Sequence, residues 1–556
     1  MKQNTPKRKG VTPHPKGLRA KRQAFYDVQN LLGDLPRERH MLLEFLHLVQ
    51  DQLHCLSESH LVAVAHELGL SFAEVYEVAT FYAHFDVIRD NQPPPPLTIR
   101  VCDSLTCEMN GAKKLLHTLA KNGGEKFRVV RAPCMGGCDQ APVAEVGKNH
   151  ITRATATSVR AAISKGHTAP EIPDATLFEA YEKDGGYALL RECLGGGRSP
   201  DELIETLEDS QLKGMGGAGF PAGTKWKLVR KEPGPRLMTV NADEGEPGSF
   251  KDRFYLDSDP HRLLEGTLIA AWAVEASDVY IYLRDEYPGI LELLKQEIPK
   301  LESAELTATT RIHLRRGAGA YICGEESAMM ESIEGKRGLP RHRPPYVATV
   351  GLFGRPTLNH NVETLYWVRD VVEKGADWFA DHGRNGGKGL RSYSVSGRVA
   401  EPGVKLAPAG ITMNELLKEF CGGMARGHKF KAYLPGGASG GILPASLADV
   451  PLDFGTLEEH GCFIGAAAII VLSDKDSVRD AALNLMRFFS DESCGQCTPC
   501  RAGTEKAVKL LEGKKLDRPL MTELCATMAD ASICGLGQTA GNPILSMMKH
   551  FKEDFA

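Results

Sequence analysis

The feature that most constrains the fold of this chain is a group of three cysteines, Cys494, Cys497 and Cys500, spaced C-x2-C-x2-C. Three thiolates at this spacing wrap three corners of a cubane [4Fe–4S] cluster, and a distant fourth cysteine completes the ligand set. Cys534, in the segment Ser-Ile-Cys-Gly-Leu-Gly, is the natural fourth ligand. Zinc usually takes two separated cysteine pairs, so zinc is the weaker alternative here.

Four further cysteines form two pairs, Cys102 with Cys107 and Cys134 with Cys138. Each pair follows a predicted strand, so the four thiolates would lie in two loops. Two ligands per iron suit a [2Fe–2S] cluster, although the spacing alone also allows zinc. The other six of the 14 cysteines are interpreted as small buried hydrophobic residues: Cys55, Cys193, Cys323, Cys421, Cys462 and Cys525.

Length and composition exclude several classes of protein. A chain of 556 residues is too long for one hydrophobic core, so several domains are expected. A net charge of −4 argues against a protein that coats nucleic acid. The longest apolar run, residues 462–472, is too short to span a membrane. The basic N-terminus lacks a following apolar stretch, so we expect a cytoplasmic protein whose cysteines serve metal or redox chemistry.

Changes of pattern along the chain predict a multidomain fold of the α/β and α+β classes. Four consecutive prolines, residues 93–96, stop a helical region and act as a stiff linker. The predicted segments are a disordered basic arm (residues 1–22), a helical domain (23–92), a small α/β domain (97–168), a larger α/β domain (200–385), a β-grasp-like module (386–474) and a helical region (475–556). A nucleic-acid or localisation element is the less favoured interpretation of the arm.

Two segments of the larger α/β domain are suited to a phosphate-bearing ligand. The glycines of residues 214–226 let backbone N–H groups approach a phosphate or a flat ring, and Lys225 could neutralise charge. A tight turn is the alternative, and the preceding helical pattern excludes a Rossmann fingerprint. The acidic residues 241–252 follow a predicted strand, where crowded acids favour a ligand site over a solvated loop.

Two later segments of the same domain allow either a functional or an ordinary interpretation. Residues 317–327 begin a helix with small residues and two adjacent acids, which is also compatible with a plain helix start. Residues 335–346 place four cations and a histidine in a proline-stiffened loop. Such a loop is either solvated or in contact with a phosphate or pyrophosphate.

Seven segments occur in the order found in one known family: GMGGAGFPAGTKW, NADEGEPGSFKDR, GAGAYICGEES, EGKRGLPRHRPPY, GLFGRPTLNHNVETL, ESCGQCTPCRAGT and SICGLG. From about residue 200 to 550 the chain resembles the FMN- and NADH-binding subunit of respiratory complex I. The same subunit type occurs in NAD-reducing hydrogenases and NAD-dependent formate dehydrogenases. Residues 36–165 resemble the thioredoxin-like [2Fe–2S] subunit of these complexes, helical prefix included, so two subunits are fused.

The resemblance implies a fold for each domain and a set of cofactors. Residues 97–168 would be thioredoxin-like with a [2Fe–2S] cluster, and residues 200–385 a Rossmann-like α/β domain for FMN and NAD. Residues 386–474 would form a β-grasp-like domain of the SLBB type, and residues 475–556 a helical [4Fe–4S] bundle. The implied reaction exchanges electrons between NAD(H), a flavin and the clusters, and its hydride step needs placement but no general base.

The resemblance also implies roles for individual residues. Glu246 would face the nicotinamide ribose at the reaction centre. The residues implied to bind FMN or NAD are Gly214, Gly216, Gly217, Gly219, Phe220, Lys225, Asn241, Asp243, Glu244, Tyr321, Gly324, Glu325, Glu326, Arg343, Tyr346, Asn361 and Thr364. Positions that depart from the family's pattern are Met215, Leu228, Arg343, Tyr346 and His360.

Taken whole, the chain is most similar to the beta subunit of molybdenum- or tungsten-dependent formate dehydrogenases. The segments LRSYSVSGRVAEPGVKLAPAG and YLPGGASGGILPAS carry this closer resemblance. It implies a hetero-oligomer in which a partner subunit with a molybdenum or tungsten pterin cofactor and further Fe–S clusters oxidises formate. Neither nucleic acid nor a membrane span is expected.

Three other functions stay open at this stage. The chain could be the diaphorase subunit of an NAD-reducing hydrogenase or of a complex I-like NADH dehydrogenase. It could instead be an Fe–S scaffold without FMN, or a zinc-based binding module that uses the basic arm.

Overall fold

The computed structural model describes residues 18, 20–88, 92–121, 124 and 126–555, which divide into two compact units. One unit holds the described residues up to 94 together with residues 332–337, and the other holds residues 95–331 and those from 338 onwards. The predicted basic arm, residues 1–22, falls almost wholly outside the described residues. Among the described helices, none combines the length and the apolar character needed to cross a membrane.

The first unit is mainly helical, as predicted. Its elements are α1 (Arg22–Leu32), α2 (Leu42–Leu53), β1 (Leu56–Ser57), α3 (Glu58–Leu68), α4 (Phe72–Phe81) and β2 (Val87–Ile88), with a 3-10 turn at Arg39–Met41. The apolar face of α2 is buried at Phe45 and Val49. Helix α4 begins with a capping box: the Ser71 hydroxyl accepts from Glu74 N–H at 3.2 Å, and the Glu74 carboxylate accepts from Ser71 N–H at 3.0 Å.

The thioredoxin-like domain brings its two cysteine pairs to one end of a sheet. Its elements are β3 (Leu97–Cys102), α5 (Leu105–Met109), α6 (Ala112–Ala120), β4 (Phe127–Ala132), a 3-10 turn (Cys138–Gln140), β5 (Ala144–Val146), β6 (Asn149–Ile151) and α7 (Ala156–Lys165). The strand order is β4-β3-β5-β6, with β3 and β4 parallel. Because parallel strands end at the same edge, the loops after β3 and β4 are neighbours.

The larger α/β domain is built on a fully parallel four-stranded sheet in the order β10-β7-β8-β9. Its strands are β7 (Arg236–Ala242), β8 (Ala276–Leu283), β9 (Arg311–Arg316) and β10 (Thr357–Asn361). Its helices are α8 (Phe178–Lys183), α9 (Ala188–Leu194), α10 (Pro200–Asp209), α11 (Ala222–Lys231), α12 (Lys251–Ser258), α13 (Pro260–Ala273), α14 (Pro288–Ser303), α15 (Glu326–Ile333), α16 (Val362–Lys374) and α17 (Ala376–Ala380), with 3-10 turns at Tyr321–Gly324 and Leu352–Gly354.

The strand order of this sheet determines where a ligand can bind. The chain runs from β7 to β8 and β9 on one side, and then returns to place β10 on the other side of β7. In open α/β sheets, ligands bind outside the carboxyl ends of the strands at such a reversal. Asn241 and Asn361 lie at the ends of β7 and β10 in matched register, so both are at that point.

The β-grasp-like module has a five-stranded mixed sheet in the order β12-β11-β15-β13-β14. Its elements are β11 (Leu390–Gly397), β12 (Gly403–Pro408), α18 (Met413–Phe420), β13 (Phe430–Leu434), β14 (Leu443–Pro444) and β15 (Ala468–Ser473), with 3-10 turns at Ala445–Leu447 and Glu458–His460. The apolar run 462–472 is mostly buried, as predicted, but only its second half is strand. Its first half is a loop that lines the cleft described below.

The C-terminal region is helical, which confirms the predicted fold class across the chain. Its elements are α19 (Val478–Asp491), α20 (Thr498–Glu512), α21 (Arg518–Ala531), α22 (Gly535–Thr539) and α23 (Asn542–His550), followed by a 3-10 turn at Lys552–Phe555. Polar caps set the starts of two of these helices: the Ser477 hydroxyl accepts from Asp480 N–H, and the Asp517 carboxylate accepts from Leu520 N–H.

Candidate functional site

A cleft of about 420 Å³ opens at the carboxyl ends of β7 and β10. This volume is within the range usual for cofactor pockets. Its walls come from the α/β domain, the β-grasp-like module and α22. The predicted site residues that line it are Gly216, Gly217, Asn241, Asp243, Glu244, Glu246, Tyr321, Gly324, Glu325 and Asn361.

The glycine loop forms one wall because of its backbone conformation. Gly217 and Gly219 have φ angles of +122° and +66°, which other residues rarely adopt. A Cβ atom on Gly216 would lie 3.2 Å from Asn361 Cβ, so the loop lies directly against the end of β10. Behind the loop, the buried Thr364 hydroxyl accepts from Met215 N–H at 2.9 Å. The loop therefore presents backbone, not side chains, to the cleft.

Glu246 bonds to the β-grasp-like module at the cleft and is connected through Ser439 to the C-terminal helical region. Its Oε1 accepts from the backbone N–H and the hydroxyl of Ser439, both at 2.8 Å, and its Oε2 accepts from the Tyr321 hydroxyl. Asn542 of α23 donates in turn to Ser439 O at 3.0 Å. Burial raises the pKa of Glu246, although these hydrogen bonds act to lower it. Ser439 and Asn542 were missed as site residues, even though Ser439 lies in the segment YLPGGASGGILPAS.

Asp243 places a buried carboxylate oxygen at the cleft wall, where a polar ring could bond to it. Its Oδ2 is buried without a hydrogen-bond partner among the described residues, although it lies at the cleft wall. Burial raises the pKa of this carboxyl well above its ordinary value. Asn241 holds the loop by donating to Gly324 O at 2.8 Å and accepting from Asp243 N–H at 3.1 Å. An orphaned polar atom on a glycine-lined cleft fits a flavin ring with its own donors and acceptors.

A buried lysine, Lys251, lines the cleft beside Asn361 and was missed from the sequence. Its Nζ lies 2.7 Å from Asp252 Oδ1, 3.1 Å from Glu363 Oε2 and 3.3 Å from Asn361 Oδ1. Burial alone would lower the pKa of Lys251, but the surrounding acids raise it, so it stays a cation. Burial raises the pKa of Asp252 to about 7. The sequence shows a basic residue within the acidic segment 241–252. It does not show that Lys251 is buried, because Asn361 and Glu363, which contact it, lie far along the chain.

The Glu244 carboxylate is turned into its own loop. Its Oε1 accepts from the Ser249 hydroxyl at 2.7 Å and from Asp252 N–H at 3.0 Å. Its Oε2 accepts from Arg253 N–H at 3.1 Å and from the Tyr287 hydroxyl at 3.0 Å. Glu244 therefore organises the acidic loop while its main chain lines the cleft.

The remaining predicted nucleotide residues are not among those that line the cleft. Lys225 Nζ donates to Asn359 O at 3.0 Å and lies 3.4 Å from Glu326 Oε2. Arg343 pairs with Glu325 and, at 3.0 Å, with Glu326. The rings of Phe220 and Tyr346 are 46% and 58% exposed. Gly214 donates to Phe220 O at 2.8 Å, and Gly219 packs against Phe454.

The structure brings the four thiols of the first cysteine cluster together. Cys102, Cys107, Cys134 and Cys138 are all buried. The sulfur atoms of Cys134 and Cys138 lie 3.2 Å apart, and the Cys102 thiol contacts those of Cys107 and Cys134. Four converging buried thiols fit a cluster, because neighbouring thiolates need cations between them. Phe250, from the acidic loop, packs against Cys134 and Cys138.

The second cysteine cluster encloses a small cavity. Cys494, Cys497, Cys500 and Cys534 all line it. Burial raises the pKa of Cys500 to about 11 and that of Cys534 to about 12, so these thiols need a cation to ionise at neutral pH. Arg501 donates to Gly495 O within the ligand loop.

The cysteine cavity and the cleft share a wall. Ile322 and Leu536 line both spaces, so these two apolar side chains border the cleft as well as the cysteine cavity.

Three families of known proteins match segments of this chain. Residues 207–370 match the Nuo51 FMN-binding domain, residues 28–167 the thioredoxin-like [2Fe-2S] ferredoxin, and residues 480–556 the NADH-ubiquinone oxidoreductase-F iron-sulfur binding region. The chain is 41% identical over 400 residues to the F 2 subunit of NADH-quinone oxidoreductase in Rhizobium meliloti, covering 69% of this chain and 95% of that protein. The chain belongs to the NADH-quinone oxidoreductase-F family.

Two further comparisons support this assignment, one with a curated relative and one with a chain of a solved complex. The corresponding NADH-quinone oxidoreductase protein of Aquifex aeolicus is 39% identical over 399 residues, which cover 69% of this chain and 91% of that protein. A chain of the NAD+-reducing [NiFe]-hydrogenase in its H2-reduced state is 31% identical with a TM-score of 0.83, covering 94% of this chain and 93% of that chain. The similarity to the hydrogenase chain therefore covers a larger share of this chain than the 69% that these two curated relatives match.

Membership of the oxidoreductase-F family confirms the cofactors and the class of reaction. FMN, a [2Fe–2S] and a [4Fe–4S] cluster are the cofactors, and NAD is the substrate. The chain is an NAD(H)-dependent oxidoreductase component of a hetero-oligomeric complex. The alternatives of a zinc module and of a scaffold without flavin are wrong.

Proposed function

We propose that this oxidoreductase-F family member serves a cytoplasmic NAD-dependent formate dehydrogenase. It would receive the electrons that formate releases on a partner subunit with a molybdenum or tungsten pterin cofactor, and deliver them to NAD+. The observation that carries this proposal is the pair of segments LRSYSVSGRVAEPGVKLAPAG and YLPGGASGGILPAS, which resemble formate dehydrogenase beta subunits. The second of these contributes Ser439, the partner of Glu246 in the cleft.

Different polar residues of the cleft would contact different parts of a bound flavin. Lys251 and Asn361 would meet the phosphate, since they place a cation and an amide at the end of β10. Asp243 would meet the ring, where its Oδ2 lacks a protein partner among the described residues. The backbone of Gly216 and Gly217 would lie under the flavin.

The nucleotide residues form a second group. Glu246 would accept hydrogen bonds from the nicotinamide ribose and act as the residue closest to the reacting ring. Phe220 and Tyr346 offer exposed rings on which an adenine could stack. Lys225 and Arg343 would approach the pyrophosphate, where their present partners Glu325 and Glu326 restrain them.

When bound, FMN exchanges electron pairs with NAD(H) and single electrons with iron–sulfur clusters. The protein would position the flavin and the clusters and place apolar side chains between them. Ile322 and Leu536, which line both the cleft and the cysteine cavity, would place apolar side chains between the flavin and the cluster. Cys494 and Cys497 are partly exposed, so the cavity they line is accessible to a partner's cluster.

A second candidate, the diaphorase of an NAD-reducing hydrogenase, is favoured by a specific observation. The likeness to the hydrogenase chain spans 94% of this chain at a TM-score of 0.83. That likeness concerns the flavin and cluster module, which both complexes would share, and so does not identify the electron donor.

The test is steady-state NAD+ reduction by the native complex, purified through a tag on this chain. Formate-dependent activity, with molybdenum or tungsten in the co-purified partner, would support the proposal. Hydrogen-dependent activity without formate turnover would support the second candidate. NADH oxidation by artificial acceptors with neither donor active would overturn both and leave the family assignment standing.

A further inference from the structure

The arginine that follows β8, Arg284, connects the flavin cleft to the [2Fe–2S] cysteines. Its side chain is 4% exposed. One terminal nitrogen donates to the main-chain oxygen of Glu244 in the acidic loop, and the other donates to the main-chain oxygen of Cys134 at 2.6 Å. Its Nε lies 3.1 Å from Glu286 Oε2. One buried guanidinium thus holds the backbones of two cofactor loops that are far apart in sequence.

Tyr287 makes a second connection between the same two loops. Its hydroxyl donates to Glu244 Oε2 at 3.0 Å. Its ring lies against Gly136, between the ligands Cys134 and Cys138: a Cβ there would be 2.5 Å from the Tyr287 hydroxyl. The Arg284 guanidinium lies 5.0 Å from the centre of the same ring. The turn between β8 and α14 therefore fixes the acidic loop and the [2Fe–2S] loop in one arrangement.

The charge of Arg284 matters as well as its hydrogen bonds. A cluster that gains one electron gains one negative charge, and a buried cation beside its ligands stabilises that charge. Arg284 touches the main chain of a ligand cysteine from a buried position, so solvent screens its charge little. Lysine could keep the charge at this position, but a single ammonium lacks the planar fork that reaches both carbonyl oxygens.

We propose that Arg284 is a positioning residue that couples the [2Fe–2S] site to the flavin loop. Its charge raises the reduction potential of the [2Fe–2S] cluster, and its two donors hold the cluster loop in register with the acidic loop. This inference rests on the cofactors of the oxidoreductase-F family and not on formate as the electron donor.

The experiment compares the [2Fe–2S] midpoint potential in the wild-type holoenzyme with those of Arg284→Gln and Arg284→Lys, by redox titration followed by EPR. The glutamine variant should have a lower potential than wild type, because the reduced cluster loses a stabilising cation. The lysine variant should lie between them. Arg391→Gln is the matched control, since Arg391 is equally buried and pairs with Asp453 at 2.9 Å in the β-grasp-like module; its potential should equal that of wild type.

Three results would overturn the proposal: an unchanged potential in Arg284→Gln, equal shifts in the lysine and glutamine variants, or an equal shift in Arg391→Gln. Tyr287→Phe serves if the glutamine variant does not fold. It keeps the ring against Gly136 and all the charges, so its potential should stay at the wild-type value while its flavin dissociates faster. A lowered potential in Tyr287→Phe would show that loop packing, not the charge of Arg284, sets the potential. A wild-type protein without formate activity would leave this proposal standing.

Discussion

The carboxylate of Glu246 and the backbone and side chain of Ser439 are joined by two hydrogen bonds of 2.8 Å. The two residues are 193 positions apart and belong to different domains, so this contact closes the cleft from the side of the β-grasp-like module. The nucleotide site proposed for this cleft would therefore depend on the assembly of two domains.

Ser439→Ala removes one of the two bonds to Glu246 and keeps the backbone N–H. We expect the KM for NADH to rise several-fold with a smaller change in kcat, because Glu246 loses one of the two hydrogen bonds by which Ser439 holds it and keeps the other. Steady-state kinetics with an artificial acceptor measure this effect. Ser446→Ala, an exposed serine of the same module, is the control. Equal KM values for both variants and wild type would remove Ser439 from the site.

Lys251→Gln should weaken FMN binding at least tenfold. The substitution removes the cation proposed to meet the flavin phosphate and leaves the buried carboxylates of Asp252 and Glu363 without their cationic partner. Release of flavin fluorescence on dilution measures the affinity. Lys227→Gln removes an exposed lysine that pairs with Glu208 at 3.1 Å, and it should bind FMN as wild type does. Unchanged affinity in Lys251→Gln would place the phosphate elsewhere.

Cys497→Ser should abolish the [4Fe–4S] EPR signal and spare NADH oxidation by an artificial acceptor, because the flavin proposed for the cleft would be separated from the cysteine cavity by Ile322 and Leu536. Cys525→Ser is the matched control, since Cys525 is buried on α21 and does not line the cysteine cavity. Its EPR signal should be intact. Simultaneous loss of flavin activity and signal in Cys497→Ser would mean that the cluster is needed for the fold of the cleft.

Glu145→Gln should change how stability depends on pH. Burial raises the pKa of Glu145 to about 7, although Arg100 at 3.6 Å acts to lower it. A raised carboxyl pKa stabilises the folded state fully below about pH 4.5, and this contribution is lost as pH rises through 7. The wild type should therefore lose stability between about pH 5 and 8 relative to the variant, by up to about 3 kcal/mol. Parallel pH profiles in thermal unfolding would contradict the burial of an acidic Glu145.

The cysteine sites could be predicted from the sequence because their chemistry is local. Short spacings and neighbouring strand ends bring the ligands together, as at Cys102 and Cys134. The helix starts at Ser71 and Thr412 could also be predicted, since a cap and its partner lie within one turn.

The supporting residues of the site could not be predicted, because their partners are distant in sequence. Arg284 and Cys134 are 150 positions apart, and Lys251 reaches Asn361 across 110. Only the return of β10 beside β7 brings the second pair together. The adenine-stacking role of Phe220 and Tyr346 stays a prediction, because no pattern in the sequence identifies what an exposed ring binds.

The most direct test of the proposed function is single-turnover reduction of the cluster held by Cys494, Cys497, Cys500 and Cys534 in the native complex, without NAD+. Formate added anaerobically should produce the EPR signal of that cluster, and the signal should be absent from the complex that carries Cys497→Ser. Hydrogen should produce no signal. Reduction by hydrogen and not by formate would contradict the proposed function and assign this chain to a hydrogenase.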